Sequence, residues 1–147
     1  MGNHTSNHAL FSTITENEIT ANVVAVNDII LNSTGVKSTL LRPPYGEIKR
    51  EMAIKLGMHI IHWSIDPEDW KYREDPQKVA DHIISKAKDG DIILMHDIYE
   101  SSYQAFCIAA EALVADGYEL VTVSELLGLS EESAGDGVIH KSVTQKR

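Results

Sequence analysis

TLLRPPYGEIKREMAIKLGMHIIHWSIDPEDW, residues 39–70, decides the fold class. Thr39 to Arg42 is a short apolar run stopped by Pro43-Pro44, as a strand is stopped by a turn. From Glu47 to Leu56, Ile48, Met52 and Leu56 recur at helical spacing, and Gly57 is the stop signal. His59 to Ile65 (HIIHWSI) then reads as a second strand, rich in β-branched and aromatic residues. Strand, helix and strand joined by tight connections imply parallel strands covered by a helix.

The same alternation continues outward. Between Thr15 and Asn32, the residues Ile19, Val23, Val26, Ile29 and Ile30 follow helical spacing. Thr15 and Glu18 form a capping box at its start, and Gly35 ends it. Downstream, Asp75-Pro76 opens a helix that places Val79, Ile83 and Ala87 on one face. Asp91 to Met95 reads as a buried strand, Ser102 to Ala115 as a helix, Glu119 to Val123 as another strand and Ser124 to Leu127 as a last helical turn. The predicted order is α-β-α-β-α-β-α-β, an α/β fold built on parallel strands; four strands are few for a closed barrel. From Ser130 the chain turns polar and aperiodic, so the prediction is one domain over 1–129 and a disordered tail over 130–147.

Composition sets the outer limits. The 147 residues carry a net charge of −9, with 43% hydrophobic and 24% charged residues, as suits one soluble globular domain with a core. The acidic balance argues against a nucleic-acid partner, which needs clustered Lys and Arg. The single cysteine, Cys107, excludes an intrachain disulfide and a Cys-rich zinc knuckle, and in YQAFCIAAEAL it reads as a buried small hydrophobe. No apolar run approaches the ~20 residues that cross a membrane, and MGNHTSNHALFSTIT has no readable signal peptide.

Polar groups gather just past the strand ends, where sites form in parallel α/β folds. HTSNH supplies His4 and His8; a helical turn would put both imidazoles on one face to share a metal ion, whereas a polar terminus would make them incidental. RPPYG is either turn punctuation or a rigid mount for Arg42, whose guanidinium suits a carboxylate. DPEDW offers two acids three residues apart beside Trp70, either a solvated loop over the core or a site. In LMHD, His96 ends a strand, as a structural hydrogen-bonder or a catalyst.

In this order the four pieces resemble the polysaccharide deacetylase family, the NodB-homology or carbohydrate esterase family 4 domain. HTSNH is similar to its H-[ST]-x-x-H motif, RPPYG to R-x-x-P-[YF], DPEDW to D-x-x-D-W and Leu94-Met95-His96 to L-x-H. HDIYES and GYELVTVSELL add to a likeness that covers Gly2 to Leu129. The resemblance implies a distorted (β/α) barrel and metal-dependent removal of acetyl groups from N-acetylated polysaccharide of the peptidoglycan or chitin type. It implies His4 and His8 as ligands of a divalent metal, zinc first, and Arg42 as the residue orienting a catalytic-base aspartate. The backbone N–H of Tyr45 would meet the oxyanion, His96 would be the general acid, Asp66 would tune its protonation, and Trp70 and Leu94 would line the acetyl pocket. It also implies secretion or the cell envelope as the place of action.

These roles are chemically coherent. An amide nitrogen leaves poorly unless protonated, a carboxylate favours the charged imidazole, and a metal polarises the carbonyl and acidifies water. The family pattern opens with T-F-D-D, which supplies the base and a third ligand, and no T-F-D-D occurs in this sequence. The expectation is therefore an N-terminally truncated barrel, lacking the catalytic-base aspartate and prone to self-association through exposed edges. The alternative is a non-catalytic carbohydrate-binding remnant of the same fold.

Overall fold

A computed structural model describes residues 1–130 and 133–143. The elements are α1 (Glu16–Thr34), β1 (Leu40–Leu41), α2 (Arg50–Leu56), β2 (His59–Ile61), α3 (Pro76–Lys86), α4 (Glu100–Ala115), α5 (Val123–Leu127) and β3 (Ile139–His140). Two single 3₁₀ turns, Phe11–Thr13 and Pro44–Gly46, are interspersed. The chain divides into two compact units. One is Met1–His62 with Leu129–His140, and the other is Trp63–Gly128 with Lys141 onward.

In the first unit β1, β2 and β3 form one parallel sheet in that order, with Leu40 opposite His59 and Ile60 opposite Ile139. Asn3 extends it on the β1 side: its N–H donates to the Leu40 carbonyl (2.8 Å) and its carbonyl accepts from the Arg42 N–H (2.9 Å). The sheet is covered by α1 and α2, so that Ile19, Val23, Met52 and Ala53 pack with Phe11, Leu41, Met58 and Ile60. The predicted capping box holds: Thr15 Oγ1 accepts from the Glu18 N–H and Glu18 Oε2 accepts from the Thr15 N–H. Gly35 closes α1 in the left-handed conformation (φ 74°) that glycine adopts without a Cβ penalty. Ile29 belongs to the periodic pattern yet stays 61% exposed; Ile19, Val23 and Ile30 carry the burial.

The second unit has a different core. Val79, Ala80 and Ile83 of α3 pack against Ala105, Ala109 and Leu113 of α4, where alanines let the two helices approach closely. Beneath them, Ile65 and Ile93 form a parallel bridge, tied by Ser64 N–H to the Ile92 carbonyl (2.9 Å) and Leu94 N–H to the Ile65 carbonyl (2.9 Å). The predicted strand over 91–95 is therefore reduced to isolated bridges, Ile93 to Ile65 and Asp91 to Ser142.

Three expectations are corrected. No strand forms over 119–123: a Thr122–Glu125 capping box turns Val123 into the start of α5, and Leu120 and Val121 remain exposed. Part of the predicted tail is ordered in the sheet, because β3 pairs with β2 and the His62 N–H donates to the His140 carbonyl (2.8 Å). Gly135 makes that approach possible, since a Cβ there would overlap the Met58 carbonyl. Residues 131–132 and 144–147 of the predicted tail lie outside the described residues. Cys107, finally, is exposed, because it falls on the side of α4 away from Ala105 and Ala109.

Candidate functional site

The first unit brings four of the sequence-predicted residues together. Asn3 is fully buried and fully satisfied. Its amide donates to the Val23 carbonyl and to Asn27 Oδ1, both at 2.8 Å, and its Oδ1 accepts from the Thr5 N–H at 2.8 Å. That anchor delivers His4 to the end of β1, where its Nδ1–H donates to the Arg42 carbonyl at 2.6 Å. The bond selects the tautomer whose Nε2 carries the lone pair, the arrangement found behind metal-ligating histidines. The His4 and His8 ring centroids stand 4.9 Å apart, and the His8 ring lies 4.8 Å from that of Tyr45.

A helical turn is not what unites the two imidazoles. Thr5 (φ 65°) and His8 (φ 53°) are both left-handed, so HTSNH is a looped turn rather than a helix start. Tyr45 (φ 58°) and Glu68 (φ 53°) are the other non-glycine residues at positive φ among the described residues. All four sit in HTSNH, RPPYG or DPEDW. Such conformations cost roughly 1–3 kcal/mol each and concentrate at functional sites. Arg42 donates from Nη2 to the His62 carbonyl at 3.4 Å, and burial lowers its pKa from the ordinary arginine value.

The second unit places Asp66, Asp69, Trp70, Leu94 and His96. The parallel bridge at Ile65 and Ile93 sends two loops off the same end, and DPEDW thereby reaches LMHD. The carboxylate that meets His96 is Asp69. His96 Nδ1–H donates to Asp69 Oδ1 (2.7 Å), and the His96 backbone N–H donates to Oδ2 (2.7 Å). A third donor, the Ser102 hydroxyl, reaches Oδ2 at 2.6 Å. The role that the sequence reading gave to Asp66 is thus corrected: Asp66 Oδ1 accepts from the Glu68 N–H (2.9 Å) and closes the turn that aims Asp69 inward.

The Asp69 side chain is 1% exposed, the His96 side chain 36%. Burial acts to raise the Asp69 carboxyl. The hydrogen bonds from Ser102 and from the His96 ring and backbone, with the charge of that ring, outweigh it and hold Asp69 below the ordinary aspartate value. With Nδ1–H committed to Asp69, His96 presents Nε2 as its proton-exchanging atom. Trp70 is 45% exposed and Leu94 is buried. An open depression of about 590 Å³ borders His96, walled by Met95, Tyr99, Tyr103 and Phe106 among others; neither Trp70 nor Leu94 contributes to it.

Sequence reading missed Asn3, Asp69 and Ser102. Asp69 was legible as one of two acids in D-x-x-D; the other two carry no motif signal that sets them apart from ordinary polar residues.

Residues 1–61 match the family model "Polysaccharide deacetylase". The peptidoglycan-N-acetylmuramic acid deacetylase PdaC of Bacillus subtilis is 39% identical over 126 residues, covering 86% of this chain and 27% of PdaC. The solved PdaC structure aligns with a TM-score of 0.83, covering 86% of this chain and 62% of that one. A structure described as T48 deacetylase with substrate aligns at TM-score 0.85 and 35% identity, covering 95% of this chain and 69% of that one. The wild-type BA3943 pseudoenzyme of Bacillus anthracis aligns at TM-score 0.78 and 29% identity, over 86% of this chain and 45% of its own. The chain thus spans about a quarter of the length of the first curated relatives it matches.

Proposed function

The chain belongs to the polysaccharide deacetylase family, and from that premise we propose that it serves in hydrolysing acetyl groups from an N-acetylated polysaccharide of the peptidoglycan type, at or outside the cell envelope. The observation that carries the proposal is His96. It is a half-exposed imidazole just past the Ile65–Ile93 bridge, oriented through Nδ1 by a buried, charged carboxylate. Such a ring holds a proton on Nε2 for a leaving amine, the demanding step of amide hydrolysis.

His4 and His8 fit a divalent cation, zinc first, as two of the three protein ligands usual in a catalytic site. His4 has the tautomer for it and the two rings adjoin. Among the described residues no group of three or more His, Cys, Asp and Glu gathers to hold a metal. When bound, such a cation supplies Lewis acidity that polarises the acetyl carbonyl and acidifies water. The Tyr45 backbone N–H, set by its left-handed turn, is proposed as a donor to the oxyanion, and Arg42 as the orienting cation for a base. Trp70 and Leu94 are proposed as the apolar wall for the methyl group, and the parallel strands as part of the family's distorted barrel.

The test is acetate release from N-acetylated glycan with zinc added, for the wild-type chain, for the longest reading frame that carries it, and for His96→Ala in each. The expected loss on His96→Ala is about 10²-fold or more, the usual contribution of a positioned proton donor. Equal release with and without His96 would sink the proposal.

The likeness to the BA3943 pseudoenzyme favours a second reading, a glycan-binding module without chemistry. Glycan binding that persists in His96→Ala and in chelator, with no acetate from either protein, would favour it.

A further inference from the structure

Asp69 orients His96, but something must orient Asp69. Of its three hydrogen-bond donors, two are the ring and the backbone N–H of His96 itself. These bind the two residues to each other without tying the pair to a neighbouring element. The third donor is the hydroxyl of Ser102, in the first turn of α4, whose own N–H is held by the Tyr99 carbonyl at 3.1 Å. Ser102 is 3% exposed, and its hydroxyl contact with Asp69 Oδ2 is the shortest of the three.

We propose that Ser102 is a positioning residue for the proton donor: its hydroxyl fixes the rotation and the charge of the Asp69 carboxylate, and through it the tautomer and direction of the His96 ring. The inference rests on the role given to His96 above. Two physical arguments carry it. A carboxylate rotates about Cβ–Cγ unless both oxygens are held; with Oδ1 on the ring, a fixed donor on Oδ2 locks the plane and thereby the ring. A buried carboxylate is also costly unless hydrogen bonds replace water, and Ser102 is a donor to Asp69 outside the His96 residue itself. The first turn of a helix favours negative charge, so α4 places this hydroxyl where an anion is already stabilised.

A serine that merely satisfied itself at a helix start would leave His96 unchanged when removed. Three substitutions separate the cases: Ser102→Ala removes the donor, Ser102→Cys keeps the volume with a weak donor, and Ser102→Thr keeps the hydroxyl. The first readout needs no activity: the exchange-protected Nδ1–H proton of His96, and the titration of the Asp69 carboxyl carbon, both by NMR on the full chain. Wild type and Ser102→Thr are expected to show the protected proton. In Ser102→Ala and Ser102→Cys its protection falls severalfold and Asp69 titrates at higher pH. The second readout is acetate release. Here kcat falls roughly tenfold in the Ala and Cys variants with KM nearly unchanged, the pH profile departs from that of wild type, and Thr restores both.

If Ser102→Ala fails to fold, Ser102→Cys decides. A ring proton and pH profile matching wild type in whichever of these variants folds would overturn the inference while leaving deacetylation standing. Conversely, a shifted ring signal with no acetate from any protein would support the positioning role and count against the proposed reaction.

Discussion

DPEDW shows why single residues are the hardest scale to read. Two carboxylates three apart were plain in the sequence, but which of them turns inward depends on Glu68, held at φ 53°, and no pattern announces a left-handed glutamate. Once the turn is formed, Asp66 spends an oxygen on the Glu68 N–H and Asp69 points inward to three donors. The two acids should respond differently to the same change. Asp66→Asn keeps an oxygen for the turn, so stability should alter by less than about 0.5 kcal/mol. Asp69→Asn, with its oxygen toward the His96 N–H and Ser102, turns its NH₂ toward His96 Nδ1, which forces the other ring tautomer and removes a charge-assisted pair, and should cost about 2 kcal/mol in urea unfolding. The acid response separates them too. Asp69 is depressed in the folded protein, so the stability it contributes is present above the unfolded value near 4 and is lost as pH falls through the folded one. Wild type and Asp66→Asn should therefore lose stability below about pH 4, and Asp69→Asn should lack that component. A matching acid profile in Asp69→Asn would refute the assignment.

At the scale of elements, three helices were legible because each carries its own punctuation: Thr15 with Glu18 and Gly35 around α1, Asp75 and Pro76 before α3, Gly57 after α2. The strands were less so, since pairing depends on partners far along the chain. Glu119–Val123 has strand composition and no ladder, whereas the polar stretch before Lys141 contributes β3 because β2 offers it an edge. β3 also brings a titratable group inside. Burial lowers the pKa of His140; the His59 ring, 5.8 Å away, acts in the same direction, and Asp136 opposes both. His59 Nε2 meets the Ser133 hydroxyl at 3.2 Å, so that ring is held too. A histidine with a lowered folded pKa is favoured in its neutral form. Its contribution is present above the unfolded value near 6.5 and is lost as pH falls through the folded one. The protection factor of the His62 N–H, its exchange rate relative to the intrinsic rate at each pH, should therefore fall below about pH 6.5 as β3 loosens, and His140→Gln should flatten that dependence. A protection factor that stays constant between pH 7 and 5 in the wild type would exclude His140 as the cause.

For the molecule as a whole, charge and chemistry lead to an expectation that neither a residue nor an element supplies alone. The chain carries −9, and its motif residues mix imidazoles, one arginine, a buried carboxylate at Asp69 and exposed aromatic surface at Trp70 and Tyr45. An N-acetylated glycan without free amines or carboxylates has no charge for that net potential to attract or repel. Recognition must then come from aromatic faces against sugar C–H groups, and from hydrogen bonds, which salt hardly screens. Binding of an uncharged N-acetylglucosamine oligomer should accordingly raise the melting temperature by the same amount in ~0.05 M and ~0.5 M salt, within error. Trp70→Ala should reduce that rise, whereas His96→Ala should leave most of it, because proton transfer and sugar contact draw on different atoms. The fully deacetylated, cationic oligomer supplies the contrast: it meets an acidic protein, so whatever stabilisation it gives should fade as salt increases. A rise for the neutral oligomer that disappears with salt would mean that charge, not sugar chemistry, governs the encounter, and would remove polysaccharide recognition from what these residues do.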